Sequence, residues 1–275
     1  MRHLLDKLAI ANHSRIRLVK GSHIVVPRLY DGDHAYILQQ PDRRIVFAIP
    51  YEGDFTEIGT TDIPVDRPED AICSQEERAY LCEAVNRYFT RQITSGDIVW
   101  SWSGVRPLHD DGAARAQSVT RDYALELDEN GPPLLSVFGG KITTARALAE
   151  EALAKIGPAL GAKVEPVTRA RVFPGGAIAD FDRFVATVRT RWPFLGDARA
   201  ERMAHAYGCN LADMLRDRTE LGEDLGAGLT ATEIRWMRDH EWARTAEDVL
   251  WRRSKLGLHA GPELAERVTR VLEEK

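Results

Sequence analysis

Near the middle of this 275-residue chain, Leu134-Leu135-Ser136-Val137-Phe138 runs into Gly139-Gly140-Lys141-Ile142-Thr143-Thr144. From Thr143 the pattern becomes helical. Free N–H groups at a helix start, with the positive end of the helix dipole, stabilise negative charge. Paired glycines let a flat or anionic ligand approach the backbone. The lysine adds a full charge, and the two threonines add caps or donors. An ordinary strand-to-helix turn with a surface lysine accounts for the same letters.

Two arginines offer a complementary chemistry. Arg106 lies in Ser103-Gly104-Val105-Arg106-Pro107-Leu108, and Arg121 in Thr120-Arg121-Asp122. Proline holds the residue before it extended, which predicts Arg106 at the end of a strand. A guanidinium suits bidentate contact with phosphate or carboxylate. A solvent-facing arginine or a structural ion pair is the competing reading for each. His23, in Lys20-Gly21-Ser22-His23-Ile24-Val25-Val26-Pro27, could accept an alcohol proton near neutral pH, or serve as a hydrogen-bonded strand residue. Gly59-Thr60-Thr61-Asp62 is a polar strand end whose hydroxyls could line a site, or a plain turn. Gly226-Ala227-Gly228-Leu229-Thr230-Ala231 has the letters of a dinucleotide fingerprint, but no buried strand precedes it. It reads as a helix-entry loop.

These residues need elements to position them. β-favouring runs at 16–19, 23–26, 35–38, 44–49 and 55–58, punctuated by Gly21, Pro27, Pro41-Asp42-Arg43 and Gly59, predict an antiparallel sheet built from hairpins. Ser74 and Glu77 have capping-box spacing, and Leu81, Val85, Tyr88 and Phe89 line one face of the following helix. Strands resume at 98–102, 123–127 and 134–138, the last two joined by Asn130-Gly131. Ala145, Leu148, Ala149, Ala152, Leu153 and Ile156 form a helical stripe. Residues 157–176, rich in Gly, Pro and small side chains, read as a linker.

Beyond it the periodicity is helical. Phe181, Val185, Val188 and Trp192 share a face. Thr230 with Glu233 and Thr245 with Asp248 have capping-box spacing, and Gly261-Pro262 opens a last helix carrying Leu264, Val268, Val271 and Leu272. The class expected is α+β: an antiparallel-sheet region over 1–156, the linker, and an α-helical domain over 177–275.

Composition bounds the function. At 44% hydrophobic residues, the chain can bury one large core or two smaller ones. A net charge of −5 argues against a nucleic-acid partner, which would be met by a basic face. No apolar run approaches the roughly 20 residues of a membrane-spanning helix. The start, Met1-Arg2-His3-Leu4-Leu5-Asp6-Lys7, has no signal-peptide block. Cys73, Cys82 and Cys209 form no CxxC pair and read as reduced thiols. The scattered histidines predict no metal site.

Seven segments, in order, carry a family resemblance: RLVKGSHIVVPR, RIVFAIPY, IGTTD, DIVWSWSGVRPL, TRDYALEL, PLLSVFGGKITTAR and HEWARTAEDVLWRRSKLGL. Together they resemble the flavin-dependent, quinone-reducing glycerol-3-phosphate dehydrogenases, within the D-amino-acid oxidase-like flavoprotein superfamily. The resemblance implies that His23 is the base for the substrate hydroxyl, and that Arg106, Arg121 and Lys141 bind the substrate. It implies that Gly139, Gly140, Lys141, Ile142, Thr143 and Thr144 lie against the ring of FAD. On this reading 1–156 holds the substrate-binding cap with a remnant of the FAD-binding domain. Hydride passes from sn-glycerol 3-phosphate to FAD and electrons leave to a quinone, giving dihydroxyacetone phosphate. The expected location is the cytoplasm or the inner face of the cell membrane, and a homodimer is compatible with it.

The family's N-terminal βαβ unit with its GxGxxG is not in this sequence. The expectation is therefore a C-terminal portion, inactive alone, binding FAD weakly or not at all, with a missing N-terminal half as partner. Two rival readings fit parts of the sequence. One is an amino-acid or amine oxidase of the same superfamily, whose carboxylate substrate could also use Arg106. The other is a helical docking module, given Trp236, Trp242 and Trp251 and the basic run Trp251-Arg252-Arg253-Ser254-Lys255. The favoured account of that run makes the tryptophans core and the charges a solvated helix end.

Overall fold

The computed structural model describes Leu5, Lys7, residues 15–110 and residues 122–274. Arg121 lies outside the described residues. The chain divides into two compact units, Met1–Arg169 and Ala170–Lys275.

In the first unit, β1 (Ile16–Pro27) is the spine of a six-stranded antiparallel sheet. On one edge it pairs with β4 (Phe55–Gly59) and then with β5 (Ile63–Pro64). Along the other it pairs with β6 (Trp100–His109), from Val25 opposite Trp100 to Ile16 opposite His109. β2 (Tyr36–Gln39) and β3 (Ile45–Tyr51) complete the sheet beyond β4.

Two expectations change here. Gly21 does not divide two strands; β1 runs through it, paired with Gly104 of the neighbouring strand, and the glycine leaves room for a guanidinium that crosses the position where a side chain would stand. Arg106 is not at a strand end either, since β6 continues through Pro107 to His109. Within this sheet β6 pairs with β1 alone, and an edge strand tolerates the missing proline donor.

Helix α1 (Gln75–Asn86) starts at the predicted capping box, with the Ser74 hydroxyl accepting from Glu77 N and the Glu77 carboxylate from Ser74 N. It covers one face of the sheet. Ile24, Val26, Leu38, Val46, Ala48 and Ile58 pack with Leu81, Ala84 and Val85 in a buried cluster. Strand alternation sends Gly21 and His23 to the opposite face. A separate hairpin of β7 (Tyr123–Asp128) and β8 (Leu134–Gly139) leads through a 3₁₀ turn at Ile142–Thr144 into α2 (Ala145–Ile156).

The second unit is helical apart from one short hairpin, β9 (Asp224–Gly226) with β10 (Leu229–Thr230). That hairpin occupies the glycine-rich stretch expected to be a plain loop, and its turn residues Gly226, Ala227 and Gly228 all take positive φ. Helices α3 (Phe181–Arg191), α4 (Asp197–Tyr207), α5 (Leu211–Leu215), α6 (Ala231–His240) and α7 (Glu263–Glu273) surround a core including Val188, Met203, Leu215, Ile234, Met237 and Val268.

The capping box expected at Thr230 does not form. Glu233 is fully buried instead, accepting from Arg202 at 2.7 Å and from the Tyr207 hydroxyl at 3.0 Å. The Thr245–Asp248 box does form: Thr245 N donates to the Asp248 carboxylate at 3.0 Å and Asp248 N to Thr245 Oγ1 at 3.1 Å. Trp236 and Trp251 pack against the core, whereas Trp242 is 78% exposed. Trp242 takes φ 56° just past α6, while Ala243 N bonds the Met237 carbonyl at 3.0 Å. That is the left-handed closing position of a helix, and it turns the indole outward.

Candidate active site

Strand register gathers the site. Gly59 of β4 and Trp102 of β6 stand on either side of His23 in β1. The imidazole stacks on the Trp102 indole, with centroids 4.2 Å apart and planes 2° from parallel. Trp102 is held in turn by Nε1 donating to Glu57 at 2.8 Å. A methyl group on Gly59 would come within 2.0 Å of His23 Cδ2, so the ring lies in space that glycine leaves.

Burial first, and then the charge of Arg106, push the His23 imidazole down to about 4. At neutral pH it is uncharged. Its Nδ1 is enclosed and has no hydrogen-bond partner among the described residues, an exception to the rule that buried polar atoms are paired. A neutral imidazole keeps one ring nitrogen able to accept a proton.

Arg106 stands opposite Val19, four strand positions from His23, and its side chain reaches back toward it. Its guanidinium crosses Gly21, where an added methyl would lie 2.6 Å from Nη2 and 2.7 Å from Nη1. Nη1 pairs with Asp62 at 3.0 Å and Nη2 donates to Thr60 Oγ1 at 3.3 Å. The ion-pair reading is thus realised, but these two contacts leave further N–H donors of the planar group for an anion. The Gly59-Thr60-Thr61-Asp62 stretch is consequently part of the site, as a hydroxyl and a carboxylate holding the arginine.

The glycine-lysine segment abuts the far end of β6. A methyl on Gly139 would meet Asp122 O at 2.9 Å and His109 N at 3.0 Å, and one on Gly140 would meet Leu148 at 3.1 Å. Both glycines take positive φ, 80° and 99°. Lys141 and Thr143 are exposed, Ile142 is 91% exposed, and Thr144 closes the turn through Lys141 N and O.

Residues the sequence did not point to are Trp102, Glu57 and Gly21, and the Asp62 carboxylate joins the site beside the hydroxyls expected of its stretch. Trp102 had one usable signal: aligning the two strands places it opposite His23. The others announce themselves only through three-dimensional contact.

Residues 2–146 match the family model described as FAD dependent oxidoreductase, and residues 166–275 match that of the C-terminal domain of alpha-glycerophosphate oxidase. The chain belongs to the FAD-dependent oxidoreductases. It is similar to the glycerol-3-phosphate dehydrogenase of Pseudomonas aeruginosa, 46% identical over 99% of this chain and 54% of that one. The aerobic glycerol-3-phosphate dehydrogenase of Escherichia coli is 46% identical over 98% of this chain and 55% of its own. The D-erythritol 1-phosphate dehydrogenase of Brucella abortus is 42% identical over 93% and 53%. The solved structure of the glycerol-3-phosphate dehydrogenase from Bacillus halodurans complexed with FAD is similar at a TM-score of 0.77 and 26% identity, covering 99% of this chain and 59% of that one. The chain spans about half the length of the relatives it matches. The family resemblance and the α+β class expected from sequence both hold.

The turn at 139–144 fits a flavin ring edge. Two left-handed glycines hold its backbone, and an isoleucine that is 91% exposed stands beside a lysine and a threonine. An exposed apolar side chain flanked by donors has the chemistry to lie along an isoalloxazine edge. Among the described residues, no βαβ unit is present to grip the pyrophosphate.

Proposed function

We propose that this chain supplies the substrate-binding and proton-accepting part of a flavin-dependent dehydrogenase that oxidises sn-glycerol 3-phosphate to dihydroxyacetone phosphate. The observation that carries this reading is the placement of a neutral imidazole and a fixed guanidinium on one face of one sheet. The guanidinium reaches back over Gly21, two residues along β1 from His23, which is roughly 7 Å. That distance suits a carbinol at His23 and a phosphate one carbon further on at Arg106.

Arg106, positioned by Asp62 and Thr60, binds the phosphate, and Lys141 adds charge from the neighbouring turn. Arg121 is assigned to the same role from the family resemblance. The neutral imidazole of His23 takes the hydroxyl proton as the C–H bond breaks and the carbonyl forms. Bound FAD supplies the hydride acceptor, and residues Gly139 to Thr144 orient its ring. A quinone would be the electron acceptor of such an enzyme, which would then work at the inner face of the cell membrane. The chain alone is proposed to hold FAD weakly, since its described residues offer only the ring-edge turn.

The test is turnover by the flavin-loaded enzyme containing this chain, with a quinone analogue as acceptor. Glycerol 3-phosphate should be oxidised, whereas glycerol and D-amino acids should not. The similarity to a D-erythritol 1-phosphate dehydrogenase makes that longer polyol phosphate the necessary comparator. Preference for it would move the substrate while keeping the phosphate chemistry, and turnover of D-amino acids would overturn the reading.

A further inference from the structure

On the face of the sheet away from His23, α1 buries a carboxylate. Glu77 is 2% exposed and sits among Lys20, Ser22 and Thr61, themselves 6%, 0% and 1% exposed. Its oxygens accept from Lys20 Nζ at 2.7 Å, Ser22 Oγ at 2.7 Å, Thr61 Oγ1 at 2.6 Å and Ser74 N at 2.9 Å. Lys20 Nζ also donates to the Ile72 carbonyl at 2.7 Å, Ser22 Oγ meets Ser103 Oγ at 2.7 Å, and Ser22 N donates to Thr61 Oγ1 at 3.0 Å. A buried ion pair is weak evidence for stability, because apolar residues of the same volume often serve as well.

What distinguishes this network is where its members sit. Lys20 and Ser22 alternate with Gly21 and His23 along β1. Ser103 lies between Trp102 and Gly104 in β6. Thr61 lies between Thr60 and Asp62, the two groups that hold Arg106. The Lys20, Ser22 and Thr61 contacts of the carboxylate therefore each fix backbone next to a residue of the site.

We infer that Glu77 is a positioning residue: through Thr61 and Ser22 it sets the placement of the Arg106 guanidinium and the His23 ring from behind the sheet. The inference rests on the function proposed above for those two residues. Thr61 is its critical link, since its hydroxyl alone joins the carboxylate to the Thr60–Asp62 clamp.

The test uses Thr61→Val, which keeps shape and removes the hydroxyl, and Thr61→Ser, which restores it. In the flavin-loaded enzyme, Thr61→Val should raise KM for glycerol 3-phosphate about tenfold with kcat little changed, the loss expected for one charge-assisted hydrogen bond. Thr61→Ser should return KM to the wild-type value. An unchanged KM in Thr61→Val, or equal damage in both variants, would mean the network only stabilises the fold. A second readout needs no substrate. In the chain itself, exchange of the Arg106 Nε proton, followed by NMR, should quicken in Thr61→Val and not in Thr61→Ser. Absence of that difference overturns the inference even if glycerol 3-phosphate proves not to be the substrate. Its presence supports the inference in either case.

Discussion

The imidazole of His23 lies flat against the indole of Trp102, with centroids 4.2 Å apart and planes 2° from parallel. The stack keeps water from the ring, and removal from water is the larger of the two causes that lower its proton affinity. Trp102→Ala should let water in. The His23 titration, followed by NMR, should then move up from about 4 toward the ordinary 6.5. An unmoved titration would assign the burial to other neighbours.

Arg106 is the second cause, which couples the two site residues. Arg106→Ala should raise the His23 value and, separately, weaken substrate binding. Loss of a charge-assisted phosphate contact costs about 1.5–3 kcal/mol, tenfold or more in KM for glycerol 3-phosphate. Equal effects on glycerol 3-phosphate and unphosphorylated glycerol would make Arg106 a structural partner of Asp62 and nothing more.

Two glycines separate binding from turnover. Gly21→Ala places a methyl 2.6 Å from Arg106 Nη2, and Gly59→Ala places one 2.0 Å from His23 Cδ2. Neither glycine takes the positive φ that strains other residues, so displacement of the neighbour dominates. Gly21→Ala should act on KM and Gly59→Ala on kcat. Steady-state kinetics of the pair checks this, and interchangeable effects would contradict the separate roles.

Stability should depend on pH through the same histidine. The unfolded imidazole takes up a proton below about 6.5, the folded one only below about 4. Between those values the unfolded state binds more protons, so this contribution to stability falls as pH drops across the window. Urea midpoints at pH 7 and pH 4.5 should lie closer together in His23→Asn than in the wild type. An identical spacing would show that His23 is not a buried neutral group.

Much of this arrangement was legible in the letters, and the remainder was hidden for identifiable reasons. Alternation located the strands around His23, and Asn130-Gly131 gave the β7–β8 turn. Gly21 reads as a breaker because sequence shows the missing side chain but not the guanidinium that fills its place. Pro107 reads as a strand end because edge position is a property of the sheet. Ser74 and Glu77 were legible as a capping box, since both partners lie within one turn. The burial of Glu77 was not, because Lys20 and Ser22 reach it from 57 and 55 residues away. The same spacing misled at Thr230, where Arg202, 31 residues distant, draws Glu233 inward.

The claim on which the account turns is that His23 accepts the substrate proton. The most direct measurement is the pH dependence of kcat/KM for glycerol 3-phosphate in the flavin-loaded enzyme, wild type against His23→Asn, with flavin content recorded for both. A neutral imidazole is required, so wild-type activity should fall only as pH drops toward about 4. His23→Asn should retain flavin, lose that acid limb, and turn over about 10²–10⁴ times more slowly. A variant that keeps its flavin, its limb and its normal turnover would contradict the account, and His23 would then be a stacked strand residue with no part in the chemistry.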